Sequence, residues 1–161
     1  MKTTLLIVVL LAVVLAPMGM ATGQQRTTWY APLSGDEPVP RVTTRGTGFA
    51  AFELVPAGNA LRYWLFVDTI QNVQMAHIHI GAAGVNGPVA IWLYPAAPPA
   101  RLIAGAVGGF IGEGTINTAN FAGPLAGQPF SALITALNNG QAYVNVHTNQ
   151  FPGGEIRGQI R

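Results

Sequence analysis

The chain has 161 residues, half of them apolar and only 9% charged, a composition that excludes intrinsic disorder and fits one domain. Its 20 glycines and 12 prolines follow no period, which excludes a collagen-like structure. Beyond Lys2, seven arginines oppose six acidic residues, a balance too small to indicate nucleic acid as a partner. The absence of cysteine excludes disulfides, thiolate metal sites and cysteine nucleophiles.

The first 21 residues have the organisation of a secretory signal peptide. Lys2 supplies a positive charge, residues 5–16 (LLIVVLLAVVLA) form an apolar run, and residues 19–21 (GMA) offer small side chains to a signal peptidase. We expect cleavage after Ala21, a flexible start over residues 22–28, and a protein in the periplasm, at the cell surface or in the medium. The alternative is an uncleaved membrane anchor, against which the proline and glycine inside the stretch argue.

Beyond the leader, short alternating apolar segments broken by Gly, Pro and Asn predict an antiparallel all-β domain over residues 29–161. We predict strands over residues 28–33, 47–54, 60–68, 75–80, 88–94, 110–116, 141–148 and 155–161. Residues 60–68 are apolar on both faces, which indicates a central strand. Residues 129–137 predict one short helix, because their apolar positions recur at helical spacing before an Asn-Asn-Gly stop.

Three ordered motifs resemble those of the CHRD (chordin) domain family. The match extends from about Trp29 to Arg161. The motifs are residues 33–37 (LSGDE) with 46–48 (GTG), residues 76–79 (AHIH) with 84–89 (GVNGPV), and residues 143–148 (YVNVHT) with 152–160 (PGGEIRGQI).

The resemblance implies an extracellular β-sandwich of the immunoglobulin-like or superoxide-dismutase-like kind, and it implies little about activity. In animal chordin the repeated domain belongs to a protein that binds bone morphogenetic proteins. This chain has one copy and no cysteine-rich modules, so growth-factor antagonism is not carried over to it.

All three histidines of the chain, His77, His79 and His147, lie within these motifs. His77 and His79 share one face of a predicted strand, with Cα atoms about 6.6 Å apart. If the strand that carries His147 is a neighbour, three imidazoles meet. Such a set suits one Zn²⁺ with an open fourth position, or one Cu²⁺.

The arrangement is similar to that of copper–zinc superoxide dismutase, a β-sandwich whose copper ligands include a His-x-His strand and a later histidine. This is an analogy and not family membership. The chain has no further histidine to bridge two metals, which excludes a binuclear site. The alternative interpretation is structural: the histidines would be half-buried and hydrogen-bonded to neighbours such as the Asn86-Gly87 loop or Thr148.

Glu155 and Arg157 lie on one face of the last predicted strand. Glu155 is a candidate fourth ligand, or a carboxylate that orients a histidine, and Arg157 could steer an anion to the site. The alternative is a surface ion pair that contributes little to stability.

Other enzyme classes find little support. Residues 81–87 lack the Lys-Ser/Thr of a phosphate-binding loop, Ser34 lacks the setting of a hydrolase nucleophile, and adjacent Asp36 and Glu37 would point oppositely on an extended chain. The three tryptophans are candidates for a carbohydrate platform, although packing is the commoner role of such residues. They are Trp29, Trp64 and Trp92.

Two functions remain open from the sequence. The first is a non-catalytic extracellular module that binds a protein or a polymer. The second is a mononuclear copper or zinc protein that uses the three histidines, with superoxide-dismutase-like redox activity as its enzymatic version. An exposed aromatic patch would favour the first, and convergence of three ring nitrogens would favour the second.

Overall fold

The computed structural model describes residues 26–161. The predicted signal peptide and most of the predicted flexible start lie outside these residues. The strands are β1 Thr28–Ser34, β2 Thr47–Leu54, β3 Leu61–Ile80, β4 Val89–Tyr94, β5 Ile103–Ile116, β6 Ala142–Thr148 and β7 Ile156–Gln159. One α-helix, α1, covers Phe130–Asn138, and two short 3₁₀ turns precede it. Among the described residues, no helix combines the length and the apolarity needed to span a membrane.

The strands close into an antiparallel barrel. The hydrogen-bonded order is β2, β1, β7, β6 and β3, and pairing of β3 with β2 completes the ring. Strands β4 and β5 both pair with β3 outside this ring. The all-β antiparallel prediction with one short helix is therefore confirmed. The immunoglobulin-like or superoxide-dismutase-like two-sheet arrangement is not confirmed, because the pairing gives one closed five-strand barrel with two added strands.

The predicted strands 60–68 and 75–80 are two parts of one 20-residue strand, β3. Its first part pairs with β2, and its second part pairs with β6 and β4. The change of partners occurs where Thr69 and Asn72 adopt positive φ values of 54° and 53°. The register with β5 shifts at the same points, so the strand bends there without ending.

Strand β5 begins at Ile103, seven residues before the strand predicted over 110–116. The remaining predicted strands and the helix agree with the structure within a few residues at their ends. Helix α1 follows Pro129, which occupies the N-cap position, and buries Phe130, Leu133 and Leu137.

The core is formed by strands along which buried and exposed residues alternate. Along β1, Trp29, Ala31 and Leu33 are buried while the residues between them are exposed. Strand β6 differs because all seven of its residues are buried. Val144 and Val146 belong to the apolar core. Tyr143, Asn145 and His147 alternate with these valines and face the opposite side of the sheet, and this second buried face holds the candidate site.

Candidate metal site

Register places the three histidines on one face of neighbouring strands. His77 and His79 lie on β3, and His147 lies on β6. His77 is directly opposite Asn145, and Met75 is directly opposite His147. Because directly opposite residues share a face, His147 is the diagonal neighbour of His77. The two strands are thus neighbours, which is the condition on which the three imidazoles could meet.

Two connections cover this face. The β3–β4 connection, residues 81–88, and the β6–β7 connection, residues 149–155, each supply a backbone carbonyl to a histidine. His77, His79 and His147 are consequently only 2%, 7% and 5% exposed. The site is enclosed, although it lies on the side of the sheet opposite the apolar core.

The carbonyls fix the tautomers of two rings. Nδ1 of His79 donates to the carbonyl of Gly87 at 2.9 Å, and Nδ1 of His147 donates to the carbonyl of Pro152 at 2.9 Å. Since a neutral imidazole carries one proton, Nε2 of each ring keeps its lone pair. Metal-binding histidines are commonly oriented in this way, by a hydrogen bond at the other ring nitrogen.

Nitrogens of the three rings converge. Nδ1 of His77 and Nε2 of His147 lie 3.2 Å apart, within hydrogen-bond distance of each other, and each histidine offers a nitrogen within 4.8 Å of those of the other two. Two nitrogens bound to one tetrahedral Zn²⁺ lie about 3.3 Å apart, given bonds of about 2.0–2.1 Å. Nε2 of His79 is buried and has no hydrogen-bond partner among the described residues. A cation among these nitrogens would satisfy it.

The environment keeps the imidazoles neutral. Burial, together with the smaller effects of His147 and His79, lowers the pKa of His77 from 6.5 to about 3. Burial also lowers the pKa of His79 to about 4, against the opposing effect of its bond to Gly87. The pKa of His147 is likewise lowered by burial. Lone pairs are thus available to a metal without competition from protons at neutral pH.

Aromatic rings fix the positions of the imidazoles. The ring of His77 meets Trp92 edge to face, with centroids 4.3 Å apart, and Tyr143 stacks on His79 with centroids 4.9 Å apart. The Tyr143 hydroxyl hydrogen-bonds to the backbone of Gly87, the residue that orients His79. These contacts limit the rotation of both rings.

Arg157, on β7, holds the β3–β4 connection in place through hydrogen bonds to it. Its guanidinium lies 3.4 Å from the centre of the Tyr143 ring. It donates to the carbonyls of Ala82 and Val85 at 3.1 and 3.0 Å, and to Oδ1 of Asn86 at 3.3 Å. Arg157 is 1% exposed, and burial lowers its pKa. Sequence reasoning missed this role because the acceptors are backbone carbonyls, which no residue type reveals.

Glu155 and Arg157 do not form the surface pair that the alternative interpretation described. Both are buried, and the only ion pair within residues 26–161 joins Arg41 and Asp36. The Glu155 carboxylate accepts from the hydroxyls of Thr44 and Thr148 at 2.6 and 2.7 Å. It forms no hydrogen bond with a histidine in the described part of the chain, and its role as a ligand or orienting group stays a prediction.

The alternative interpretation, in which the histidines are structural, expected hydrogen bonds to the Asn86-Gly87 loop or to Thr148, and one of these is present. The Asn86-Gly87 loop does bind His79, through the Gly87 carbonyl, whereas Thr148 binds Glu155.

The tryptophans do not form a common exposed platform, because Trp29 is buried in the core and Trp92 packs against His77.

The comparisons with known proteins agree with the motifs. No curated protein and no solved structure matches the chain. The family model of the CHRD domain matches residues 29–160, nearly the whole described region. The chain therefore belongs to the CHRD domain family.

Proposed function

We propose that this CHRD domain binds a single copper or zinc ion through His77, His79 and His147. The observation that carries the proposal is the convergence of three buried ring nitrogens within 4.8 Å, with Nε2 of His79 left unpartnered. A buried acceptor without a donor costs about 1–3 kcal/mol. A bound cation would remove that cost, and the neutral rings favour its binding.

The proposal places the domain outside the cytoplasm, after removal of residues 1–21. Its support is the order of a positive charge, an apolar run and small residues in the leader. Metal binding is proposed without turnover, because three ligands alone do not imply catalysis.

Calorimetric titration of the domain from Thr22 onward with Cu²⁺ and Zn²⁺ tests the proposal. We expect one ion per chain, and no binding by the folded triple variant His77→Ala, His79→Ala and His147→Ala. If the triple variant does not fold, His147→Gln replaces it, and nitrogen hyperfine splitting in the electron paramagnetic resonance spectrum of the Cu²⁺ complex identifies imidazole ligands. Equal affinity of parent and folded variant, for Cu⁺ as well as for the two divalent ions, would show that the histidines are structural.

An exposed aromatic row supports a second candidate function, the binding module for an extracellular protein. Phe49, Phe66 and Phe110 lie opposite one another on β2, β3 and β5, and they are 45%, 38% and 70% exposed. Together with Ala51 and Trp64 they line a surface groove. All five lining side chains are apolar or aromatic, which suits a protein surface better than a polysaccharide.

The aromatic row is tested by comparing proteins captured from the producing cells by three immobilised domains. These are the parent, the double variant Phe49→Ser and Phe110→Ser, and the control Val85→Ser, which alters another exposed apolar residue. A partner that binds parent and control must then bind as a purified protein. Identical capture by all three domains would rule out the aromatic row as a binding surface.

A further inference from the structure

The donor set of the candidate site is electrically neutral. Within residues 26–161, the group that could hold a metal contains three imidazoles and no carboxylate. Glu155, the acidic candidate from the sequence, is outside this group, and its carboxylate accepts from Thr44 and Thr148. None of the three ligands would therefore neutralise the charge of a bound cation.

A fixed positive charge lies close to the same site. The Arg157 guanidinium stacks on Tyr143, and Tyr143 stacks on His79. Arg157 has no ion pair within the described part of the chain. Since the cost of burying an ion rises with the square of its charge, a divalent ion costs about four times as much as a monovalent one here.

The number of ligands that each ion prefers also favours a monovalent ion at this site. Zn²⁺ prefers four ligands, so a three-histidine site must admit water or an anion beside them. The three rings are at most 7% exposed, which leaves little access for that fourth ligand. Cu⁺ has a filled d shell and accepts three donors without a fourth.

Resting on the proposed function, we infer that the ion is Cu⁺, and that the neutral, enclosed three-imidazole site selects it over Cu²⁺ and Zn²⁺. The Irving–Williams order favours Cu²⁺ among divalent ions, but it does not rank Cu⁺. In this site the charge of the ion outweighs that order, because no carboxylate ligand and no ready access of solvent offset a second positive charge.

Competition titrations of the metal-free domain test the inference. Cu⁺ is titrated anaerobically against bicinchoninate, Cu²⁺ against glycine, and Zn²⁺ against a chromogenic chelator. We expect a dissociation constant for Cu⁺ roughly 100-fold or more below either divalent value. Divalent binding as tight as that of Cu⁺ overturns the inference and leaves the proposed function intact. Binding of all three ions no tighter than by the folded triple-alanine variant overturns both.

A variant that adds a negative charge beside the site tests the electrostatic reason for the preference for Cu⁺. Asn145 lies opposite both His77 and Arg157 in the sheet, so Asn145→Asp places a carboxylate beside the site with little change in size. We expect it to narrow the preference for Cu⁺ over Zn²⁺ by about tenfold or more. The control Asn139→Asp makes the same charge change on the exposed end of α1. An unchanged preference in folded Asn145→Asp contradicts the charge argument.

Discussion

At the scale of residues, the face of β3 and β6 opposite the apolar core contains buried polar atoms that have no hydrogen-bond partner among the described residues. Nε2 of His77, Nε2 of His79 and Oδ1 of Asn145 are all buried and unpartnered among the described residues. Each such atom costs about 1–3 kcal/mol, and three of them form a sizeable fraction of the stability of a domain. Buried polar atoms without partners require an explanation, and a bound ion supplies one for the ring nitrogens.

The lowered pKa values predict that the metal-free domain loses stability as the pH falls below neutrality. His77 and His79 stay neutral in the folded state down to pKa values of about 3 and 4, while unfolded histidine binds its proton near pH 6.5. Between those values the unfolded state holds more protons, so acid favours unfolding. From pH 7 to 5 we expect these two histidines to remove about 4 kcal/mol from the free energy of unfolding.

Urea unfolding with a chelator present, at pH 7 and pH 5, measures this loss. His79→Gln removes one titrating ring and should reduce the pH-dependent loss by about 2 kcal/mol. A parent domain that is equally stable at both pH values would show that the histidines are not held neutral.

Arg157→Lys should destabilise the domain by about 2–3 kcal/mol, because an ammonium cannot reproduce the planar fork that reaches two carbonyls and an amide oxygen. Metal affinity should fall with it, since Arg157 holds the connection that supplies the Gly87 carbonyl to His79. The control is Arg62→Lys on an exposed position of β3, which should change the free energy of unfolding by less than about 0.5 kcal/mol. Equal effects of the two variants would contradict the role of Arg157.

At the scale of elements, the β3–β4 connection depends on one glycine. A Cβ added to Gly87 would lie 1.8 Å from the carbonyl oxygen of Ile80, so the backbone must shift and carry the Gly87 carbonyl away from His79. We expect Gly87→Ala to cost about 1–3 kcal/mol of stability and to weaken metal binding at least about tenfold. Calorimetry and urea unfolding measure the two effects.

Gly84→Ala is the matched control for this connection. Gly84 has a φ of +75° and no atom within 4 Å of an added Cβ, so alanine there costs about 1 kcal/mol of backbone strain without displacing the Gly87 carbonyl. Its metal affinity should stay within about threefold of the parent. Weakening of equal size in both variants would mean that general loosening of the connection, and not the Gly87 carbonyl, controls affinity.

Alternation and turn residues were sufficient to predict β1, β2 and the helix, because each of these elements follows one local pattern. The continuity of β3 was not predictable, since Thr69 and Asn72 carry no sign that they adopt positive φ. The candidate site was predictable as three residues on two strands, through the His-x-His spacing. The hydrogen bonds that orient it were not, because Gly87 and Pro152 contribute backbone carbonyls.

At the scale of the whole molecule, the order of strands in space depends on pairings between distant parts of the chain. The barrel closes through the pairing of β3 with β2. Strand β1 meets β7 through Ser34 and Arg157, and it meets Arg161, beyond the end of β7, through paired backbone bonds of Tyr30. Local patterns predicted an antiparallel all-β domain but do not specify which strands pair. The two-sheet sandwich was implied only by the resemblance to the CHRD family, and the observed pairing does not confirm it. Closure also places β6 between β3 and β7, and this position brings His147 to His77 and His79.

Because both connections and two strands of the barrel contribute to the site, metal binding should stabilise the whole domain. At a free metal concentration of 100 times the dissociation constant, binding to the folded state alone adds about 2.7 kcal/mol. For a domain of this size that gain should raise the melting temperature by about 10 °C. Calorimetric melting of untagged protein, with and without metal, measures the shift. The variant His77→Gln, His79→Gln and His147→Gln should show no shift, since it lacks the ligands. A rise of the same size in that variant would place the metal elsewhere on the protein, whereas a rise confined to the parent would tie stability to the three imidazoles.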